Sequence, residues 1–92
     1  MNVRVEYVAQ MRQASGVGDE LVGVEAPCSV RGLIDALAQR HGDRFRTIVF
    51  DAAGAVRPSL LVFVSDEQVE LAEARELREG DKVTILAPLA GG

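Results

Sequence analysis

Few side chains in this 92-residue sequence can do covalent or acid–base chemistry. There is one cysteine, Cys28, and one histidine, His41, so a disulfide within the chain and a cysteine-rich zinc site are both excluded. Three aspartates, Asp35, Asp43 and Asp51, share no spacing that would build a metal site. No pair of residues has the spacing of a catalytic acid and base. The sequence therefore predicts no catalytic residue and no metal site.

We interpret the remaining reactive or charged residues as structural. Cys28 precedes a predicted helix, whose dipole can lower a thiol pKa, but a small, partly buried residue is the more common role of such a cysteine. His41 ends the apolar stripe of the same helix, where partial positive charge is favourable, and we interpret it as structural. Arg40, Arg44 and Arg46 form a short basic cluster, interpreted as a solvated face rather than an anion site.

The C-terminus carries the most distinctive residues. Gly91 and Gly92 have no Cβ, so their backbone can enter a narrow channel and adopt torsions that strain other residues. Pro88 has no amide donor and a fixed φ, which stops a strand from extending. Leu89 and Ala90 complete the spacer between the proline and the glycines. These residues suit a tail that projects from a folded domain.

Charge and hydropathy narrow the class of protein. Ten basic against 14 acidic residues give a net charge of −4, which argues against nucleic-acid and anionic-membrane surfaces because both require a basic patch. No apolar run approaches the ~20 residues of a membrane span, and the N-terminus alternates instead of forming an apolar signal core. We therefore expect a cytoplasmic domain with no nucleic-acid or membrane partner.

The elements that must position the tail follow from the apolar periodicity. The strongest pattern predicts an amphipathic helix after Ser29 that ends at His41, with Ser29 as its N-cap and Gly42 beyond its end. Residues 45–50 are ambiguous between a helical turn and a short strand. Alternation and β-rich runs predict strands over residues 3–8, 20–25, 60–65, 69–71 and 82–86.

This order of elements predicts an α+β domain with two layers. We expect a mixed sheet of four to five strands, with the first and last strands adjacent and parallel in its middle. One long helix packs on one face of that sheet. The arrangement is the β-grasp, or ubiquitin-like, fold.

Alternation along the strand at residues 60–65 divides its side chains between two faces. We expect Leu60, Val62 and Val64 to meet the helix. Exposed apolar residues near the foot of the tail indicate a partner-docking patch, although a loop or a dimer contact could also cover them. The predicted patch consists of Leu61, Phe63 and Leu86.

The order of elements and the closing run from Glu79 to Gly92 resemble the MoaD/ThiS family of ubiquitin-like sulfur carriers. That run holds an acidic-Gly-Asp turn, an apolar strand, a proline and a terminal Gly-Gly. The family includes the small subunit of molybdopterin synthase and the sulfur carrier of the thiamine pathway. The resemblance spans the whole chain. It implies a β-grasp domain over residues 1–86 and a flexible tail over residues 87–92.

The resemblance also implies a chemistry for the tail. In the family, an ATP-dependent, E1-like enzyme adenylates the carboxylate of the terminal glycine, here Gly92, and the adenylate becomes a thiocarboxylate. Pro88, Leu89, Ala90 and Gly91 would then enter the partner's active site. The chain itself would bind no cofactor, ATP would be used by the partner, and the charged form would carry 1-thioglycine at position 92.

The role implied is that of a carrier or accessory subunit, such as the small subunit of a synthase complex, and not of an enzyme by itself. A molybdopterin synthase large subunit or a cysteine synthase homologue would accept the sulfur, and the sequence does not choose between the molybdopterin, cysteine and thiamine pathways. Two alternatives stay open: a ubiquitin-like modifier conjugated to target lysines, and a β-grasp interaction module with an inert tail.

Overall fold

The computed structural model describes residues 1–71 and 75–88, so the predicted tail residues 89–92 lie outside it. The described residues form a mixed sheet and three helices. In chain order the elements are β1 (Asn2–Ala9), α1 (Gln10–Ser15), β2 (Asp19–Gly23), α2 (Val30–His41), α3 (Asp43–Val49), β3 (Leu61–Val64), β4 (Glu67–Gln68) and β5 (Lys82–Ala87).

The sheet has the strand order β2-β1-β5-β3-β4. Its two central strands, β1 and β5, run parallel, whereas β2 pairs antiparallel with β1 and β3 pairs antiparallel with both β5 and β4. The predicted α+β fold is confirmed, including the central pairing of the first and last strands. Its β-grasp connectivity brings the end of β5, from which the tail departs, beside the end of β1.

The long helix α2 begins and ends where the sequence predicts. The Ser29 hydroxyl accepts a hydrogen bond from the amide of Gly32 at 3.0 Å, which caps the first turn. Gly42 follows the last turn with φ of 87°, a torsion that favours glycine. Its amide donates to the carbonyl of Ala38 at 3.0 Å. The cap and the glycine together fix the length of the helix.

One face of the sheet lies under α2 and is called here the inner face. Alternate residues of the central strands point into it because side chains on a strand alternate between its two faces. They form one hydrophobic cluster with the apolar stripe of α2. The buried members from α2, β1, β3 and β5 are Val30, Leu33, Ile34, Leu37, Ala38, Val3, Val5, Tyr7, Val62, Val64, Val83, Ile85 and Ala87.

Two short helices add to the predicted elements. The first, α1, follows β1 directly, because Met11 is fully buried and anchors a helical turn. The ambiguous segment near residue 45 is helical, as α3, and Phe45 and Val49 are fully buried. In both segments a few core contacts decide the conformation, and short-range periodicity is too brief to reveal it.

The edge strand predicted at residues 69–71 is wrong. Ser65 and Asp66 both have positive φ, 49° and 71°, and so form a tight turn directly after β3. The chain therefore pairs again at once, with Phe63 opposite Gln68. The edge strand is β4, and Val69 is buried beyond it.

Across the described ranges, no helix has both the length and the apolar character that crossing a membrane requires.

Candidate functional site

The face of the sheet opposite α2, called here the outer face, carries the predicted docking residues. Strand pairing aligns Leu61 with Leu86 and Leu86 with Val8, while Phe63 lies two residues further along β3, opposite Thr84. All four side chains are partly exposed. The structure thus brings Leu61, Phe63 and Leu86 together and adds Val8, and these four residues are called here the outer patch.

Val8 was missing from the predicted patch although its signal was present in the sequence. It alternates in phase with Arg4 and Glu6, which already placed it on the outer face of β1. Its neighbour on that face depends on the parallel register with β5, which pairs Val8 with Leu86. Register between strands distant in sequence is a tertiary property, and so the contact was not predictable from alternation.

The outer face divides into an apolar and a charged half. Beyond the outer patch, Glu6 lies 3.7 Å from the ammonium of Lys82, and Arg4 donates to Asp19 at 2.9 Å. These pairs are exposed and each contributes little to stability. The apolar half lies at the end of β5 where the chain leaves the sheet. A partner that covers the outer patch would therefore sit beside the root of the tail.

The root of the tail is defined up to Pro88. β5 includes Ala87, which pairs with Ala9 and is buried, so the strand continues one residue past the predicted domain boundary. Pro88 is exposed, and its carbonyl accepts a hydrogen bond from Gln10 Nε2 at 2.7 Å. The other predicted tail residues, Leu89, Ala90, Gly91 and Gly92, lie outside the described residues.

His41 belongs to a polar cluster that ties α2 to β1 and β2. Its Nε2 lies 2.6 Å from Glu20 Oε2, and the Tyr7 hydroxyl donates to the same oxygen at 2.5 Å. Arg40 Nε lies 3.3 Å from the other oxygen of Glu20. The His41 ring stacks on Phe45 with 5.3 Å between the ring centroids. The structural interpretation of His41 agrees with these contacts.

The cluster shifts the pKa values of Glu20 and Tyr7. Burial acts to raise the pKa of Glu20, but hydrogen bonds from Tyr7 and His41 and the positive charges of His41 and Arg40 outweigh it, so the pKa is lowered. Burial, followed by the hydrogen bond and charge of Glu20, raises the pKa of Tyr7. The carboxylate is therefore ionised and the phenol protonated at neutral pH. Both groups serve the fold, and neither faces the outer patch.

Neither Cys28 nor the arginines of the basic cluster belong to the outer patch. Cys28 is half-buried, and burial raises the pKa of its thiol, which keeps it protonated and a poor nucleophile. Arg40 pairs with Glu20, whereas Arg46 lines a different groove together with Arg31 and Phe50. Arg40 and Arg46 thus do not share one anion site. Within residues 1–71 and 75–88, no three side chains of the metal-binding types group together.

A β-grasp domain in which the root of the C-terminal tail lies beside an apolar face has the architecture of the ubiquitin-like proteins. Sequence comparison narrows this class further. A profile described as the ThiS family matches residues 5–92, which is nearly the whole sequence. The chain belongs to the ThiS family.

Two curated relatives carry the name ubiquitin-related modifier 1. The protein of Schizosaccharomyces pombe is 40% identical over 62 residues, and that of Ajellomyces capsulatus is 33% identical over 72 residues. These matches cover 65% and 76% of this chain, respectively. The chain spans 64% and 60% of the relatives' own lengths, which is less than two thirds of either.

Solved structures agree with the fold over almost the full chain. SAMP1 from Haloferax volcanii superimposes with a TM-score of 0.88, covering 100% of both chains at 22% identity, which is evidence for the fold alone. A Pyrococcus furiosus protein assigned as molybdopterin converting factor subunit 1 has a TM-score of 0.76 and 29% identity, covering 96% of this chain and 98% of that one. The BexX/CysO complex of Amycolatopsis orientalis includes a chain with a TM-score of 0.66 and 27% identity, covering 98% and 99%.

Proposed function

We propose that this protein is a sulfur carrier whose terminal carboxylate, on Gly92, is first adenylated and then converted to a thiocarboxylate. A carboxylate oxygen attacks the α-phosphorus of ATP, and pyrophosphate leaves. Hydrosulfide, or sulfur delivered at the same oxidation level, then attacks the acyl carbon, and AMP leaves. The net change in the carrier is one oxygen replaced by one sulfur. The adenylate step is required because a carboxylate by itself is a poor electrophile.

The single observation that carries the proposal is the position of the outer patch at the root of the tail. Leu86 belongs to the patch and lies two residues before Pro88, so a partner docked on the patch is held next to the tail. Apolar surface is an efficient source of docking energy because burying it releases about 25 cal/mol per Å². The folded domain would thus serve as a handle that presents the tail to an enzyme.

The groups that do the chemistry would come from the partners. In the described part of the chain, the ionisable cluster around Glu20 is engaged in packing α2 against the sheet, and the thiol of Cys28 is protonated. The carrier therefore acts as a substrate and contributes reach and backbone access rather than acid–base catalysis. ATP and the sulfur donor would bind to an E1-like activating enzyme.

A second partner would accept the sulfur, and the comparisons favour a synthase for this role. One structural neighbour is CysO in complex with BexX, and another is assigned as subunit 1 of a molybdopterin converting factor. By similarity, a molybdopterin synthase large subunit or a cysteine synthase homologue is the expected acceptor. We place the reaction in the cytoplasm, where ATP and reduced sulfur donors are available.

A specific observation also favours a second candidate function. Both curated relatives are called ubiquitin-related modifiers, which suggests conjugation of the tail to a lysine of a target protein. The adenylate is common to both functions. They differ in the nucleophile that attacks it, which is sulfur in a carrier and an amine in a modifier.

The decisive experiment changes the C-terminus alone. Deletion of Gly92, or one alanine appended after it, should leave the melting temperature unchanged because terminal residues make few stabilising contacts. The same changes should abolish charging, since a displacement of the reacting atoms by about 1 Å can cost about 100-fold in rate. Intact-mass spectrometry after incubation with the activating enzyme, ATP and a sulfur source measures the exchange of oxygen for sulfur.

The wild-type protein should gain the mass difference of one sulfur for one oxygen, and neither variant should gain it. Thiocarboxylation of the extended protein without removal of the added residue would contradict the proposal. Covalent adducts with lysine-containing proteins, formed from the adenylate in the absence of thiocarboxylate, would instead establish the modifier.

A further inference from the structure

The hydrogen bond from Gln10 to Pro88 joins two elements at the place where the parallel pairing of β1 and β5 ends. The paired residues run from Arg4 and Lys82 to Ala9 and Ala87. Beyond Ala9 the backbone leaves the sheet and begins α1, so β1 supplies no further strand backbone beside Pro88. Gln10 Nε2 donates to the Pro88 carbonyl at 2.7 Å. A side-chain amide thus continues the β1–β5 connection by one bond.

The donor of this bond is itself held in place. Ala9 has φ of 58° and ψ of −126°, a conformation that L-residues rarely adopt, and it turns the chain from β1 directly into α1. Met11, the residue after Gln10, is fully buried in the core. An uncommon torsion before Gln10 and a buried anchor after it fix the position of its backbone. Strained backbone that the surrounding packing maintains is frequent at functional positions.

We infer that Gln10 is a positioning residue for the C-terminal tail and that it fixes the direction of the chain at Pro88. This inference rests on the proposed function. Four residues separate Pro88 from the terminal carboxylate and span at most about 14 Å when extended. A change of direction of about 10° at Pro88 would therefore move an extended terminus by about 2 Å. Such a displacement exceeds the tolerance of a positioned reaction.

The inference separates two steps of one reaction. The outer patch contributes to the affinity for the activating enzyme, so its variants should raise KM. Gln10 is not a member of the outer patch, and its side-chain amide is engaged with the Pro88 carbonyl, so a change there should lower kcat instead. This split distinguishes a positioning residue from a docking residue and from a residue that only stabilises the fold.

The test uses Gln10→Glu with Gln13→Glu as its matched control. Glutamate has the shape of glutamine but, when ionised, cannot donate a hydrogen bond to a carbonyl. A negative charge near the start of α1 is favourable for the helix dipole, so the variant should keep its melting temperature. Gln13 is exposed on the same helix, forms no side-chain hydrogen bond to the described residues, and takes the same change of charge.

Thiocarboxylation kinetics with the activating enzyme, ATP and a sulfur source should show kcat lower by at least about tenfold for Gln10→Glu, with KM within about twofold of wild type. The control should match the wild type in both constants. Gln10→Arg retains N–H donors and should recover most of kcat. An unchanged kcat in Gln10→Glu, an effect on KM alone, or an arginine variant as slow as the glutamate variant would each overturn the inference.

A readout that needs no enzyme separates this inference from the proposed function. The carbonyl ¹³C resonance of Pro88 should shift in Gln10→Glu and not in Gln13→Glu, because only the first variant removes the bond. If the resonance does not move, the bond does not form in solution and the inference is wrong. If the resonance moves but the wild-type protein is never charged with sulfur, the proposed function is wrong. The role of Gln10 in sulfur transfer is then overturned as well, although the hydrogen bond to Pro88 is present.

Discussion

Val62 and Phe63 are neighbours in β3, yet Val62 is 1% exposed on the inner face and Phe63 is partly exposed on the outer face. Both faces carry apolar side chains. The inner face is covered by α2 and forms one continuous cluster, whereas the outer patch stays partly exposed. Apolar side chains therefore form the core on one face of the sheet and a partly exposed surface on the other.

The contrast shows how a small domain can combine a buried core with apolar side chains that stay partly exposed on the opposite face. The inner face excludes water on folding, and truncation there costs both transfer energy and a cavity. The outer patch is small, partly exposed and bordered by the pairs Arg4–Asp19 and Lys82–Glu6. The proposed partner would bury the apolar area that remains exposed. Changes on the two faces should consequently separate folding from docking.

The largest expected effect comes from placing one charge on either face of β3. Val62→Asp puts an unpaired carboxylate into the core, which costs about 3 kcal/mol or more and should prevent folding of a domain this small. Phe63→Asp should cost only about 1 kcal/mol, the range of strand propensity, while weakening docking to the activating enzyme. Circular dichroism and urea melts measure folding, and KM in the charging assay measures docking.

An unfolded Phe63→Asp protein would mean that the two faces are reversed, since a shift of one residue exchanges them. A folded variant with normal KM would remove the outer patch from the docking interface. Either result would mean that the two faces of β3 do not separate folding from docking.

A smaller effect is expected from truncating one leucine in α2. Leu37 is fully buried, so Leu37→Ala should lower the free energy of unfolding by about 2–5 kcal/mol. The matched control is Leu21→Ala in β2, because Leu21 is 61% exposed on the outer face and should change stability by less than about 0.5 kcal/mol. Urea melts of both variants check the pair. A loss below about 0.5 kcal/mol for Leu37→Ala would show that the stripe does not face the core.

The smallest effect concerns the charge of Glu20 at the edge of the inner face. Its pKa is lowered in the folded state, so the ionised carboxylate stabilises the fold above the unfolded pKa of about 4.3, and this stabilisation is lost as the pH falls through the folded pKa. Glu20→Gln should reduce stability at pH 7 by about 1–2 kcal/mol, and the difference from wild type should vanish in acid. Glu25→Gln, at an exposed position, is the control.

Urea melts from pH 7 down to below the unfolded pKa check this expectation. The two curves of stability against pH should converge as the carboxylate is protonated. A constant offset at all pH values would show that shape, and not charge, is the contribution of Glu20 to the packing of His41 and Tyr7.

Long, regular elements were predictable and short ones were not. The helix α2 was predicted because its apolar stripe repeats over three turns and Ser29 and Gly42 mark its ends. The helices α1 and α3 have six and seven residues, too few for a period to stand out. The edge strand was placed too late because the turn at Ser65 and Asp66 requires positive φ from residues that only the fold holds there.

The candidate site was likewise predictable only in part. Alternation within β3 was enough to place Leu61 and Phe63 on the outer face, because side-chain direction in a strand is a local property. Val8 joined the patch only through the parallel register of β1 and β5, and Gln10 met Pro88 only because β1 ends beside Ala87. These contacts join residues nearly 80 positions apart, and no local pattern encodes them.

The sequence by itself determined the periodicities, the caps of α2 and the closing Pro-Leu-Ala-Gly-Gly, since each depends on residues within a few positions of one another. The tertiary structure alone decided which outward side chains are neighbours, how His41 and Tyr7 share the carboxylate of Glu20, and what holds Pro88 at the root of the tail. The physical reason is that register and packing minimise the free energy of the whole domain, and only the assembled sheet fixes both.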